Sequence, residues 1–125
     1  MITPIYAALL ALLYVWLSIK VIGQRRSEKI SYGDGSNTSM LKVMRTHSNF
    51  VEYTPFALLL ILMVEIQGGG SRSLHLLGLT LLAGRLLHAY GFGRSPQIVI
   101  LRQLGMGLTF TAIAVAAIVN LVIAV

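Results

Sequence analysis

The chain has 125 residues, of which 56% are hydrophobic and 11% charged, with a formal net charge of +6 and no cysteine. So apolar a composition at this length excludes a soluble domain, and four spans of about 20 residues each would use most of the chain as one unit. Without cysteine there is neither a disulfide nor a cysteine nucleophile, and the positive charge lies beside apolar runs, not in a basic nucleic-acid-binding domain.

The first apolar stretch reads as a helix from Thr3 or Pro4 to Ile22. No basic segment precedes it and no small-residue cleavage site follows, so it is expected to be retained as a span. Tyr14, Trp16 and Lys20 suit a membrane interface, where rings anchor and a lysine extends its amine to water. Arg25, Arg26 and Lys29 follow, then Ser31 to Ser39, whose Gly33, Asp34, Gly35 and Asn37 predict an irregular loop. A second helix is expected from near Met40 to Glu65–Gln67, where Gly68, Gly69 and Gly70 stop it and Glu65 sits among headgroups. The third runs from about Ser73 to Gly91 and carries Arg85 and His88 on one face. Ser95 as N-cap and Pro96 at the first helical position predict a fourth helix reaching Val125, about ten residues longer than one span. Gly105 and Gly107 are expected to let that helix pack closely on its neighbours. His47 and His75 read as interface residues.

Six Lys and Arg residues lie between Lys20 and Arg45, Arg94 falls on the same side, and the opposite side has only Arg72. Basic residues favour the cytoplasmic side, so both chain ends are expected to face away from the cytoplasm. In that orientation the helix ends bearing Arg25, Arg26, Arg45, Asn49, Glu52, Arg85, His88, Arg94 and Arg102 share one membrane half.

Within that half, Arg45, Asn49 and Glu52 need a reason to be where they are. At about 100° per residue they fall in one narrow stripe, with Tyr53 on its flank, spanning roughly 10 Å along the axis. A charged side chain at mid-bilayer costs about 2.5 to 3.5 kcal/mol on insertion scales, so such residues face a protein interior or a wet cavity. The stripe is therefore a candidate site; the alternative is an Arg45–Glu52 ion pair that only pins helices together. No set of His, Cys or carboxylates has metal-ligand spacing.

The order Arg45-x-x-x-Asn49-x-x-Glu52-Tyr53-x-Pro55 resembles the helix-two signature of the MAPEG superfamily, which includes the microsomal glutathione transferases and the membrane leukotriene and prostaglandin (eicosanoid) synthases. Val21-Ile22-x-x-Arg25-Arg26 is similar to the end of that family's first helix, and Gly84-Arg85-x-x-His88 to its third, so the resemblance covers residues 1–125 as a single domain. It implies an all-α integral membrane protein, a four-transmembrane-helix bundle assembling as a homotrimer, in a bacterial inner membrane. It also implies glutathione as cosubstrate, bound by Arg45, Asn49, Glu52 and Tyr53, with Arg25 or Arg26 contributed by a neighbouring subunit. Arg85 and His88 are counted with the glutathione-binding residues, a structural intramembrane network being the open alternative. Arginines would clamp the two carboxylates of glutathione, and Glu52 would receive its ammonium or orient Arg45.

Two positions depart from the family pattern. Phe92 stands where a tyrosine is common, and Val99 where the synthases have a thiol-activating arginine. Arg102 lies three residues on, about 4.5 Å further along nearly the same face, and is the expected catalytic replacement. Arg26 is the second choice, and Arg94 a third candidate. The function expected is transfer of glutathione to lipophilic electrophiles, or reduction of them with it, at the cytoplasmic side of the bilayer. The alternative is a lipid- or amphiphile-binding protein of the same fold without chemistry. A small multidrug exporter is disfavoured because the predicted first helix contains no acidic residue.

Overall fold

The computed structural model describes residues Met1–Val125 as four helices and no strand: α1 (Thr3–Glu28), α2 (Thr38–Ile66), α3 (Ser71–Gly93) and α4 (Val99–Ala124). The shortest, α3, has 23 residues and is about 35 Å long, enough to cross a hydrocarbon core of about 30 Å. All four are long and apolar enough to span. The chain is a four-helix membrane bundle in which α3 and α4 pack most extensively, while α1 lies against α2 and α3.

Leu10, Leu17, Phe50, Ala57, Ile61, Leu77, Leu81, Ala112 and Ala116 form the apolar centre. Outward positions such as Leu12, Ile19, Phe56, Leu79, Ile118 and Val122 are exposed and equally apolar, as a helix that meets lipid requires. Because lipid is as apolar as the core, burial alone does not hold such helices together; close packing and hydrogen bonds between helices must contribute.

Close packing centres on glycine. A Cβ on Gly105 would lie 2.5 Å from the backbone nitrogen of His88 and 2.6 Å from the carbonyl oxygen of Gly84, so only glycine lets α4 approach α3 here. Gly107 differs from the expectation: nothing lies within 4 Å of where its Cβ would be. Hydrogen bonds supply the rest at the end of the bundle that holds both termini. Asn120 donates to the carbonyls of Leu60 (2.9 Å) and Ala116 (2.8 Å) and accepts from Gln67 (2.6 Å), joining α4 to α2. Glu65, near the end of α2, has a partner within the chain. Its carboxylate accepts the backbone N–H groups of Ile2 and Thr3, the latter at 2.8 Å, and so caps α1, whose own N-cap residue Ile2 offers no side-chain cap.

Helix boundaries depart from expectation at the opposite, basic end. The first helix continues six residues past Ile22 to Glu28, so Arg25 and Arg26 stand on its last turn and not in a loop. A cation there meets the negative end of the helix dipole. Lys29 in the left-handed region (φ 56°) closes it, with its N–H on the Arg25 carbonyl. The longer helix does hold an acidic residue, Glu28, but it is exposed and accepts from Gln24 one turn back at 3.2 Å. The second helix starts at Thr38, where the Asn37 side chain accepts the Met40 N–H at 2.8 Å.

Helix α4 starts at Val99, three residues after Pro96, and Ser95 is not its cap. The Ile98 N–H instead donates to the Gly91 carbonyl at 2.8 Å, folding the Ser95–Gln97 segment back onto the end of α3. Lys42 holds that segment from α2 through the Arg94 carbonyl and the Ser95 hydroxyl.

Candidate functional site

The stripe on α2 forms as its spacing requires. Arg45 Nη1 lies 3.7 Å from Glu52 Oε1, with both side chains about half exposed, 55% and 48%. No other helix covers this pair. Glu52 stands at the midpoint of α2, so the open pair lies on the outer face of a spanning helix, where charged side chains normally face a protein neighbour or a wet cavity. Asn49, between them, turns its carbonyl oxygen inward to accept from Arg85 at 2.6 Å. Its amide nitrogen makes no bond within the chain and remains available as a donor. Tyr53 packs edge-on against Phe110 of α4, with ring centroids 5.4 Å apart.

Arg85 is the centre of the interior network and is 1% exposed. Besides Asn49, its guanidinium meets His88 Nδ1 at 3.3 Å, the Thr109 hydroxyl at 3.5 Å and Met106 Sδ at 3.7 Å. The Phe50 ring centroid lies 5.8 Å away. Every polar partner is neutral; no carboxylate compensates the charge. Facing a donor at Nδ1, the His88 ring is assigned as the acceptor there, with its proton on Nε2.

From His88 the contacts run outward as a ladder. Its ring stacks on Phe92 (5.7 Å, 29°), and the Arg102 guanidinium lies over the same phenylalanine at 4.4 Å. Gln97 accepts from Arg102 Nη1 at 3.1 Å. The exposed Arg102 head is thus held by a ring and an amide in the first turn of α4. Val99, half exposed, lines an open cavity of about 520 Å³ together with Arg102, Gln103, Met106, Gly107 and Phe110. That cavity joins the stripe at two points, because Met106 also touches Arg85 and Phe110 also touches Tyr53.

The predicted residues therefore separate into two groups. Arg45, Asn49, Glu52, Tyr53 and Arg102 reach the outside of α2 and α4, while Arg85 and His88 lie buried behind them and link Asn49 to Phe92 and Arg102. Arg25 and Arg26 make no hydrogen bond or ion pair with it: Arg25 donates to the Gly33 carbonyl at 2.9 Å and lies 3.7 Å from Met44 Sδ, and Arg26 is exposed. Arg94 lies over Tyr90 at 5.0 Å. The two interface histidines bond to α1, His47 through the Ser18 hydroxyl (3.0 Å) and His75 through the Tyr6 hydroxyl (2.8 Å).

Sequence reasoning did not find Thr109, Met106, Phe110 or Gln97. Phe92 was noted only for the hydroxyl it lacks, and not as the ring between His88 and Arg102. Only Asn120 carried a usable signal among the missed polar residues, being an isolated amide in an otherwise apolar helix end.

Four spanning helices with a cluster of arginines at one end define a small integral membrane bundle. The family model described as MAPEG family matches residues 3–122, and the chain belongs to that family. It is similar to inner membrane protein YecN of Escherichia coli K12, with 37% identity over 121 residues, 97% of this chain and 91% of the relative. The protein of the same name from E. coli O6:H1 matches to the same extent.

Proposed function

We propose that this MAPEG protein is a glutathione transferase acting on lipophilic electrophiles, with reduction of lipid hydroperoxides as the related activity. The observation that carries this reading is the open Arg45–Glu52 pair, with the free Asn49 amide between them, beside an apolar cavity whose mouth holds Arg102. A tripeptide with two carboxylates and an ammonium matches that set: guanidinium groups take the carboxylates, Glu52 takes the ammonium or aligns Arg45, and Asn49 donates to a backbone carbonyl. The lipophilic partner arrives from the bilayer against Met106 and Phe110. In conjugation the thiolate sulfur bonds to the electrophilic carbon, a leaving group or π-electron pair departs from it, and the thiol proton goes to solvent. In peroxide reduction two thiols are oxidised to one disulfide while the hydroperoxide yields an alcohol and water.

Arg102 is the proposed activator. A thiol of pKa about 8.5 is roughly 3% ionised at neutral pH, and lowering it by two units raises that to about three quarters. A guanidinium at the N-terminal turn of α4 adds its charge to the helix dipole, which alone contributes up to about 1 kcal/mol.

The site is proposed to be completed in a homotrimer. The Arg45–Glu52 face is left bare by its own chain, and Arg26, or Arg25 after release from Gly33, would approach it from a neighbouring subunit. The basic end is proposed to face the cytoplasm, where glutathione is available.

A second reading, a lipid or amphiphile binder without chemistry, is favoured by Val99 at the position where the synthases carry an arginine. Calorimetric binding of glutathione to the purified protein, followed by product formation with chlorodinitrobenzene, separates them. Binding with an ionised thiol and turnover supports the transferase. Binding with an ordinary thiol and no turnover supports the binder, and no binding rejects the glutathione site altogether.

A further inference from the structure

The cavity on α4 contains a glycine that the fold does not require. Gly105, two residues earlier, has a packing reason: a Cβ there would strike α3 backbone. Gly107 has none. It lies inside a regular helix, no atom is within 4 Å of its missing Cβ, and its carbonyl already accepts the Thr111 hydroxyl at 2.8 Å. A glycine in a helix interior is destabilising relative to alanine, and here nothing within the chain offsets that.

Its surroundings indicate what the bare backbone is for. Gln103, Met106, Gly107 and Phe110 follow the i, i+3, i+4, i+7 spacing of one helix face, and all four line the cavity of about 520 Å³. Along that face the Arg102 turn is at one end, and the Phe110 ring, braced by Tyr53, lies two turns further on. Gly107 is the flat part of the floor between them. A phenylalanine face and an adaptable thioether beside a floor without side chains fit a ring better than a single alkyl chain.

We propose that Gly107 determines substrate width: by leaving the α4 backbone bare, it admits flat, ring-bearing apolar electrophiles that larger side chains would exclude in proportion to their size. This inference rests on the transferase reading for the chemistry performed, but it concerns the shape of the acceptor and not the handling of the thiol.

The test compares the unaltered protein with Gly107→Ala and Gly107→Leu on two acceptors, chlorodinitrobenzene and the fused two-ring chlorodinitronaphthalene. With both, the sulfur bonds to the carbon that loses chloride and the thiol proton goes to solvent, so only width changes. Gly107→Leu should lower the two-ring to one-ring ratio of kcat/KM by at least about tenfold, within the range that shape discrimination in apolar pockets reaches. Gly107→Ala should lower it less while raising the thermal midpoint, because the helix gains a better former and nothing clashes. Glutathione affinity and particle mass should stay as they were. An unchanged ratio, an equal loss on both acceptors, or a change in particle mass would overturn the proposal, the last by making Gly107 a contact between copies of the chain. The affinities of the two finished glutathione conjugates provide a second measurement. If glutathione binds but neither acceptor is turned over, the transferase reading fails by itself, and the ratio of conjugate affinities still decides the role of Gly107.

Discussion

At the end of the bundle that holds both termini, the Glu65 carboxylate and the Asn120 amide are bonded within the chain. Glu65 takes the first amides of α1, and Asn120 joins Leu60, Ala116 and Gln67. At the basic end both terminal nitrogens of buried Arg85 have partners within the chain while its Nε has none, and the outer layer is open: Arg45 and Glu52 are half exposed at 3.7 Å, the Asn49 amide nitrogen is free, and Arg102 is held by a ring and an amide on the surface. A protein in lipid has strong reason to satisfy its polar groups internally. The bonded end is therefore architecture, and the open end is where the proposed glutathione and neighbouring subunit would bind. The two ends should respond to substitution in opposite ways.

The largest effect is expected at Gly105, which sets the approach of α4 to α3 behind the open layer. Gly105→Ala forces α4 away from the backbone of His88 and Gly84 and should cost about 3 kcal/mol or more, the upper range for overpacking. A fall in the thermal midpoint together with lost glutathione binding would show it; an unaffected midpoint would mean that the helices are not so close. Next come Arg45→Leu and Glu52→Leu. Each should weaken glutathione binding by roughly 30-fold or more, about 2 kcal/mol, while thermal stability changes by less than about 1 kcal/mol because the pair is open. Loss of stability with affinity retained would place the stripe with the architecture and erase the contrast.

Arg102→Leu should act on the thiol alone. Removing a cation destabilises the thiolate, so the apparent thiol pKa rises, by about one unit or 1.4 kcal/mol, and the pH midpoint of turnover moves upward with it. Ultraviolet absorbance of the bound thiolate measures this, and an unchanged midpoint would reject Arg102 as activator. The smallest effect is expected from Glu65→Gln, which keeps an acceptor for Ile2 and Thr3 but loses its charge; about 0.5 to 1 kcal/mol of stability should go. Glutathione affinity should not move, and if it did, the two ends would be coupled through α2.

What could be read from sequence depended on how far apart the interacting residues are. Arg45, Asn49 and Glu52 share one helix, so periodicity alone brought them together, and the four spans followed from apolar runs of sufficient length. The bond between Asn49 and Arg85 joins residues 36 positions apart, and the Glu65 cap on α1 joins residues more than 60 apart; no local pattern encodes either. Boundaries failed for the same reason. Ser-Pro is a good local start signal for a helix, but here the Ile98–Gly91 hydrogen bond spends those residues on ending α3. The bond from Arg25 to the Gly33 carbonyl is likewise illegible in the sequence, because Gly33 lies in a loop whose path cannot be deduced from its composition.

Arg85 is surrounded only by neutral acceptors, and a charge that has no counter-ion is one whose field is not cancelled nearby. At an effective dielectric constant of about 20, a unit positive charge acts on an anion 10 Å away with roughly 1.7 kcal/mol. Because the guanidinium is buried, salt screens it much less than it screens the surface arginines. The basic end of the bundle thus carries an attraction for anions that does not depend on direct contact with them. Raising the ionic strength should mute the surface arginines first and leave this interior contribution as the residual pull.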